Sequence, residues 1–172
     1  ILDQMPPFLG GGEMIQDVFL DHSTWAELPQ KFEAGTPAIA ESIAMGSAIQ
    51  YLEELGFDNI QKWERNLINY LFDKLFSVQG LRTLGPPPDK QPHRGALATF
   101  TVEGLHSNDI AGMLDLAGIC IRSGHHCCQP LHRYYSLTST ARASLSFTTT
   151  IQEIDQFIEE LISVISFLRK NS

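Results

Sequence analysis

The run Arg122-Ser123-Gly124-His125-His126-Cys127-Cys128-Gln129-Pro130 gathers the densest set of reactive side chains in the chain. A cysteine is a nucleophile only as its thiolate, and nearby cationic groups favour that form. Arg122, His125 and His126 are candidate cations and Gly124 permits an unusual turn, so a reactive thiol is expected here. Two other readings of the run stay open. One is a metal site, even with His132 or Cys120 recruited, but four adjacent residues converge poorly on one tetrahedral ion and no metal is expected. The other is a structural loop whose histidines bond to backbone and whose thiols are inert. Cys120, between Ile119 and Ile121, reads as a buried small hydrophobe.

Two further positions carry chemistry. Gly35-Thr36-Pro37 reads as a helix start with Thr36 as N-cap and Pro37 at the first helical position. A helix N-terminus offers unpaired amides and a positive dipole end, which suit a phosphate, and Thr36 adds a hydroxyl; a plain N-cap is the alternative. Arg142 falls on the polar face of an alternating segment. A planar guanidinium there can clamp a carboxylate through two parallel bonds, or serve in an ordinary ion pair.

The elements that must hold these residues follow from period and punctuation. Residues 1–35 are irregular, with Pro6-Pro7, Gly10-Gly11-Gly12 and Gly35, and Val18-Phe19-Leu20 reads as a weak strand. Apolar residues at Ile39, Ile43, Ala44, Ala48, Tyr51, Leu52 and Leu55 mark a helical face, with Gly56 as its C-terminal cap. A second helix is expected over about 59–76, and both helices read as packed scaffold. Residues 85–94 form a loop, and alternation over 96–102 predicts a half-buried strand. Ser107 is expected to cap a helix to about 117, followed by a short strand at 119–121. Residues 124–139 read as loop with one helical turn, and 141–147 as a strand bearing Arg142. Thr150 with Glu153 forms a capping box before an amphipathic terminal helix. The order predicts an α/β layer.

Composition bounds the partners. The chain has 172 residues, 43% of them hydrophobic, with net charge −8. Its 12 basic residues are scattered, so nucleic acid is not an expected partner. No apolar run approaches the roughly 20 residues that span a bilayer, so no membrane is expected either. Three cysteines, an odd number, argue for a reducing compartment rather than a disulfide framework. The absence of an initiator methionine suggests a trimmed or excised chain.

These segments resemble the group II, SufS-like cysteine desulfurases among the fold-type I, aspartate aminotransferase-like pyridoxal phosphate enzymes. The matching strings are Gln4-Met5-Pro6-Pro7, Gly10-Gly11-Gly12-Glu13-Met14-Ile15, Phe32-Glu33-Ala34-Gly35-Thr36-Pro37, Arg122-Ser123-Gly124-His125-His126-Cys127 and Ala141-Arg142-Ala143-Ser144-Leu145. The Gln129-Pro130-Leu131-His132-Arg133 run is most similar to cyanobacterial and plastid members. The resemblance implies a large-domain tail over 1–56 and a C-terminal small domain over 57–172. It implies that Cys127 takes sulfur from L-cysteine as a persulfide, releasing alanine for iron–sulfur cluster assembly. Arg142 would hold the substrate carboxylate and Arg122 would orient substrate or persulfide. Thr36 with Gly35 would reach the phosphate of pyridoxal 5'-phosphate in a homodimer, and an acceptor of the SufE or SufU type would take the sulfur. A selenocysteine or cyst(e)ine lyase relative, or a non-catalytic sulfur-accepting module, is the alternative. The implied location is cytoplasmic, with plastid stroma as the alternative.

Departures are visible. None of Lys31, Lys62, Lys74, Lys90 and Lys170 follows the Ser-x-His-Lys motif that anchors the cofactor, so this chain alone is expected to be inactive. Cys128 replaces the small residue, commonly Ala, after the active cysteine. Two neighbouring thiols could compete, or pass a persulfide between them.

Overall fold

Buried apolar residues are concentrated in the second two-thirds of the chain, and the architecture divides accordingly. The computed structural model describes all residues except Pro92 and Ser172. It consists of two units, Ile1–Leu55 and Gly56–Ser172. Among the described residues no helix is long and apolar enough to cross a membrane.

The first unit holds an antiparallel hairpin, β1 (Ile15–Val18) and β2 (Ser23–Trp25), and one long helix, α1 (Ile39–Leu55). The expected strand at 18–20 ends at Val18. Phe19 lies in the connecting turn, its amide on the His22 carbonyl at 2.8 Å and its ring stacked on His22 at 4.4 Å. Gly12 accepts from the Gly35 amide at 2.8 Å, and a Cβ on Gly11 would come within 3.3 Å of Ala34 Cβ, so the triple glycine permits close chain approach. Helix α1 buries none of its residues, contrary to the expectation of packed scaffold. Its apolar side chains run around the whole cylinder rather than along one stripe, and Ile39, Ile43, Met45, Ile49 and Tyr51 are exposed.

The second unit is a four-stranded antiparallel sheet with helices on one face. Its strands are β3 (Leu81–Leu84), β4 (Leu97–Val102), β5 (Arg122–Gly124) and β6 (Thr140–Ser144), in the order β3-β4-β6-β5. Helices α2 (Phe57–Phe76), α3 (Ser107–Leu116) and α5 (Ile151–Lys170) cover the sheet, while the short α4 (Gln129–Tyr134) lies in the 125–139 connection. The core joins Leu67, Leu71 and Phe72 of α2, Phe100 of β4, Ile110 of α3 and Ile154, Phe157 and Leu161 of α5. Burying each such side chain contributes about 1.5–3 kcal/mol. Along β4, Ala98, Phe100 and Val102 point to the helices, which leaves Leu97, Thr99 and Thr101 on the open face. Arg94 fastens the β3–β4 connection: its guanidinium lies 4.3 Å from the Phe72 ring centroid and donates to the carbonyls of Pro86 and Leu97.

Local signals and structure agree unevenly. Gly56, at φ +84, ends α1 where expected, and the capping box forms, with Thr150 Oγ1 accepting from the Glu153 amide at 3.2 Å. Strand β3 is an addition to the expected elements, because Leu81-Arg82-Thr83-Leu84 is too short to show a period. Ser107 is not a cap: His106 holds that position, accepting from the Asn108 amide at 3.2 Å, while the Ser107 hydroxyl is buried against Ser139. The strand expected at 119–121 begins instead at Arg122. Cys120 is exposed between half-buried Ile119 and Ile121, so alternation turns the thiol outward.

Candidate active site

Cross-strand register assembles a row over the open face of the sheet. Leu84 pairs with Thr99, Thr99 with Arg142, and Arg142 with Arg122, so the two arginines stand directly opposite one another. Like charges in that position repel, and an anion between or beside them removes the penalty. Among the described residues Arg142 Nε is buried with no hydrogen-bond partner. An unsatisfied guanidinium donor beside a second arginine is a fitted seat for a carboxylate. Arg122 itself is exposed and Arg142 half-buried.

Strand β5 runs into a strained turn. Gly124 ends it at φ +115, and His126 and Cys127 follow at φ +50 and +59. Two consecutive non-glycine residues in the left-handed region disfavour the fold by about 1–2 kcal/mol each. The turn is held by the Cys128 amide on the His125 carbonyl at 2.9 Å and by His126 Nε2 on the Thr140 carbonyl at 3.1 Å. Helix α4 starts immediately afterwards, with Pro130 in its first turn. Cys127 is thereby exposed at the apex, whereas Cys128 is half-buried.

The histidines divide by environment. Burial holds the His126 imidazole below its ordinary pKa, and the charges of Arg142, Arg122 and His132 act in the same direction, against the opposing bond to Thr140. His126, a candidate cation from sequence, is therefore neutral at neutral pH. Because the Thr140 carbonyl only accepts, Nε2 carries the proton, and Nδ1 presents a buried lone pair with no partner among the described residues. His132 is 6% exposed. Its Nδ1 donates to the Cys128 carbonyl at 3.1 Å, and its Nε2 lies 3.1 Å from Thr140 Oγ1.

Between the open sheet face and the 125–139 connection lies a cavity of about 290 Å³, lined by Thr99, His126, Cys128, His132, Thr140 and Arg142 among apolar neighbours. Cys127 and Arg122 do not line it. Sequence reasoning considered His132 only as a recruit to a metal site and missed Thr140 altogether. The four-residue spacing from Cys128 to His132 was the available signal, since i and i+4 share a helix face.

In the first unit, Gly35 has φ +88 and its amide is engaged by Gly12. Helix α1 begins at Ile39, with the Ser42 amide on the Ala38 carbonyl at 3.0 Å as its first turn. Ala38, not Thr36, is thus the N-cap. The Ile39 amide bonds back to the Pro37 carbonyl at 2.8 Å, which delays the helix by two residues. Thr36 is exposed ahead of that terminus.

A match to the aminotransferase class-V family model spans residues 1–157, and the chain belongs to that family. A probable cysteine desulfurase of Synechocystis is 56% identical over 167 residues, which is 97% of this chain and 40% of that protein. The crystal structure of the Escherichia coli cysteine desulfurase CsdA, in its S-sulfonic acid form, superposes with a TM-score of 0.78 at 31% identity, covering 95% of this chain and 39% of the other. An apo cysteine desulfurase of Thermococcus onnurineus gives 0.77 at 33% identity over 94% of this chain and 39% of its own. The chain therefore spans about two-fifths of the length of the relatives it matches.

A pyridoxal phosphate enzyme needs phosphate donors, a lysine amine and support for the ring. Of these, the present residues fit only the first: the exposed hydroxyl of Thr36 is suited to a phosphate oxygen, while the Gly35 amide is already engaged. Among the described residues no lysine lines the cavity beside Arg142. Lys31 bonds the Asp3 carbonyl at 2.9 Å and Lys74 pairs with Asp155 at 3.2 Å.

Proposed function

We propose that this chain carries the sulfur-accepting cysteine and the carboxylate clamp of a SufS-type cysteine desulfurase. The enzyme takes sulfur from L-cysteine as a protein persulfide and leaves L-alanine, supplying iron–sulfur cluster assembly. One observation carries the reading: Arg142, opposite Arg122 and with a buried unpartnered Nε, opens onto the cavity beside the turn that presents Cys127. The similarity to cysteine desulfurases supports it.

In this reading the Arg142 guanidinium binds the substrate α-carboxylate, and Arg122 adds positive charge and orients substrate or persulfide. Cys127 Sγ attacks the substrate sulfur; the new S–S bond forms as the C–S bond breaks, and the carbon keeps the electron pair and is protonated to alanine. Pyridoxal phosphate, when bound, supplies the electron sink that makes this carbon a leaving group. His126, with its open Nδ1, is the adjacent group able to accept the thiol proton. Thr36 and Gly35 would sit at the phosphate across a homodimer, for which the exposed apolar surface of α1 is suited. A SufE- or SufU-type acceptor would draw sulfur from exposed Cys127. The three free thiols suit a reducing compartment, the cytoplasm or alternatively the plastid stroma.

The test uses the chain joined to its natural upstream sequence, with pyridoxal phosphate and L-cysteine. Alanine release is expected from the parent and should fall by more than about 100-fold in Cys127→Ser. Arg142→Lys should raise KM roughly tenfold or more, since Lys cannot reproduce the two-point clamp. No alanine from the parent despite bound cofactor would sink the desulfurase reading. The chain by itself is expected to release none.

A further inference from the structure

The two adjacent thiols face different surroundings. Cys127 sits exposed at the apex of the left-handed turn, outside the cavity, whereas Cys128 is half-buried and lines it. The Cys128 thiol donates to the His125 carbonyl at 3.0 Å, and its Sγ lies 3.8 Å from His132 Nδ1. Because that same Nδ1 also bonds the Cys128 carbonyl, which can only accept, it carries a proton. His132 Nδ1 is therefore not a base for the Cys128 thiol. Arg142, with its unpartnered Nε, lines the same cavity, and Leu97 and Leu131 help to wall it. Sulfur held at Cys128 thus shares a partly apolar cavity with His132 and Arg142.

We propose that Cys128 is a second sulfur carrier, which receives the terminal sulfur from Cys127 and keeps it within the cavity; this rests on Cys127 being the first acceptor, as in the desulfurase reading. Cys128 loses its proton to solvent and attacks the terminal sulfur of the Cys127 persulfide. A bond forms between Cys128 Sγ and that sulfur, the bond to Cys127 Sγ breaks, and Cys127 departs as a thiolate that is reprotonated. One S–S bond replaces another, so no oxidant or reductant is consumed. Adjacency in the chain makes the step intramolecular. The transfer frees the exposed thiol for a second turnover and moves the first sulfur away from bulk reductant.

The experiment loads the holoenzyme, the chain with its natural upstream sequence and cofactor, in two ways: with L-cysteine, and separately with glutathione persulfide, which bypasses desulfuration. Samples are alkylated at intervals and the extra sulfur atom is located on Cys127 or Cys128 by fragment-ion mass spectrometry; its loss to dithiothreitol is timed in parallel. The expected result is sulfur first on Cys127 and then on Cys128, with reduction several-fold slower than in Cys128→Ser. Cys127→Ser should take no sulfur from L-cysteine yet still accept it on Cys128 from glutathione persulfide. Sulfur confined to Cys127, with equal reduction rates in parent and Cys128→Ser, overturns the proposal. So does release of sulfide with a Cys127–Cys128 disulfide in place of a Cys128 persulfide, or no sulfur on Cys128 from either source. Migration seen with glutathione persulfide alone would retain the carrier while the desulfurase reading fails.

Discussion

Along β4 from Ala98 onward each residue sits where its own chemistry would send it: Ala98, Phe100 and Val102 are buried under the helices, and Thr99 and Thr101 face the open side. The turn at 124–128 does the reverse. Two side-chain-bearing residues occupy the left-handed region, a thiol is exposed, and an imidazole nitrogen is buried without a partner. The neighbouring strand β6 reconciles the two regions. Its Ala141 and Ala143 belong to the core, while the Thr140 backbone and hydroxyl hold His126 and His132. Strain of this kind persists only where surrounding structure over-determines it, and it concentrates at functional sites.

The contrast between strand and turn is tested first from the core side. Phe100→Ala removes a fully buried ring that lies 6.3 Å from Phe157, and should destabilise the second unit by about 3–5 kcal/mol in urea titration. If the turn depends on the core, the same variant should lose the difference in alkylation rate between exposed Cys127 and half-buried Cys128. Next in size is Thr140→Val, at a position only 1% exposed. It leaves His132 Nε2 without its partner and should lower stability by about 1–3 kcal/mol, with faster alkylation of Cys128.

Gly124→Ala tests the turn alone. Among the described residues no heavy atom beyond the two chain neighbours lies within 4 Å of the added Cβ, so the penalty comes from φ +115 and not from a clash, and about 1–3 kcal/mol is expected. A loss comparable to that of Phe100→Ala would show that the turn and core are not separable.

The smallest effect is the pH dependence of the turn. The folded pKa of His126 is below the ordinary value of 6.5, so the unfolded chain takes up its proton first as pH falls. The stabilising contribution is complete above about pH 6.5 and is lost progressively as pH drops through the depressed folded value. Urea midpoints measured between neutral and mildly acidic pH should fall more steeply in the parent than in His126→Gln, which cannot charge. Equal slopes would remove the assignment of a neutral His126.

The strands flanking the site were legible because alternation is local. Ala98, Phe100 and Val102 mark one face of β4, and Arg142 between Ala141 and Ala143 marks both faces of β6. The capping box before α5 is local for the same reason. Helix α1 behaves differently, since its apolar residues suggest a packed face and none is buried in this chain.

Sequence by itself determined the α/β succession, the unusual density of Arg, His and Cys at 122–128, and the polar position of Arg142, because each depends on residues a few places apart. Only tertiary structure decided that Arg142 stands opposite Arg122, that His126 is neutral, and that Cys128 turns toward the cavity while Cys127 turns out. Those outcomes depend on the register between β5 and β6 and on bonds from the 125–139 connection to Thr140. Desolvation and charge proximity are set by what folding brings alongside a residue, and neither is encoded in its immediate neighbours.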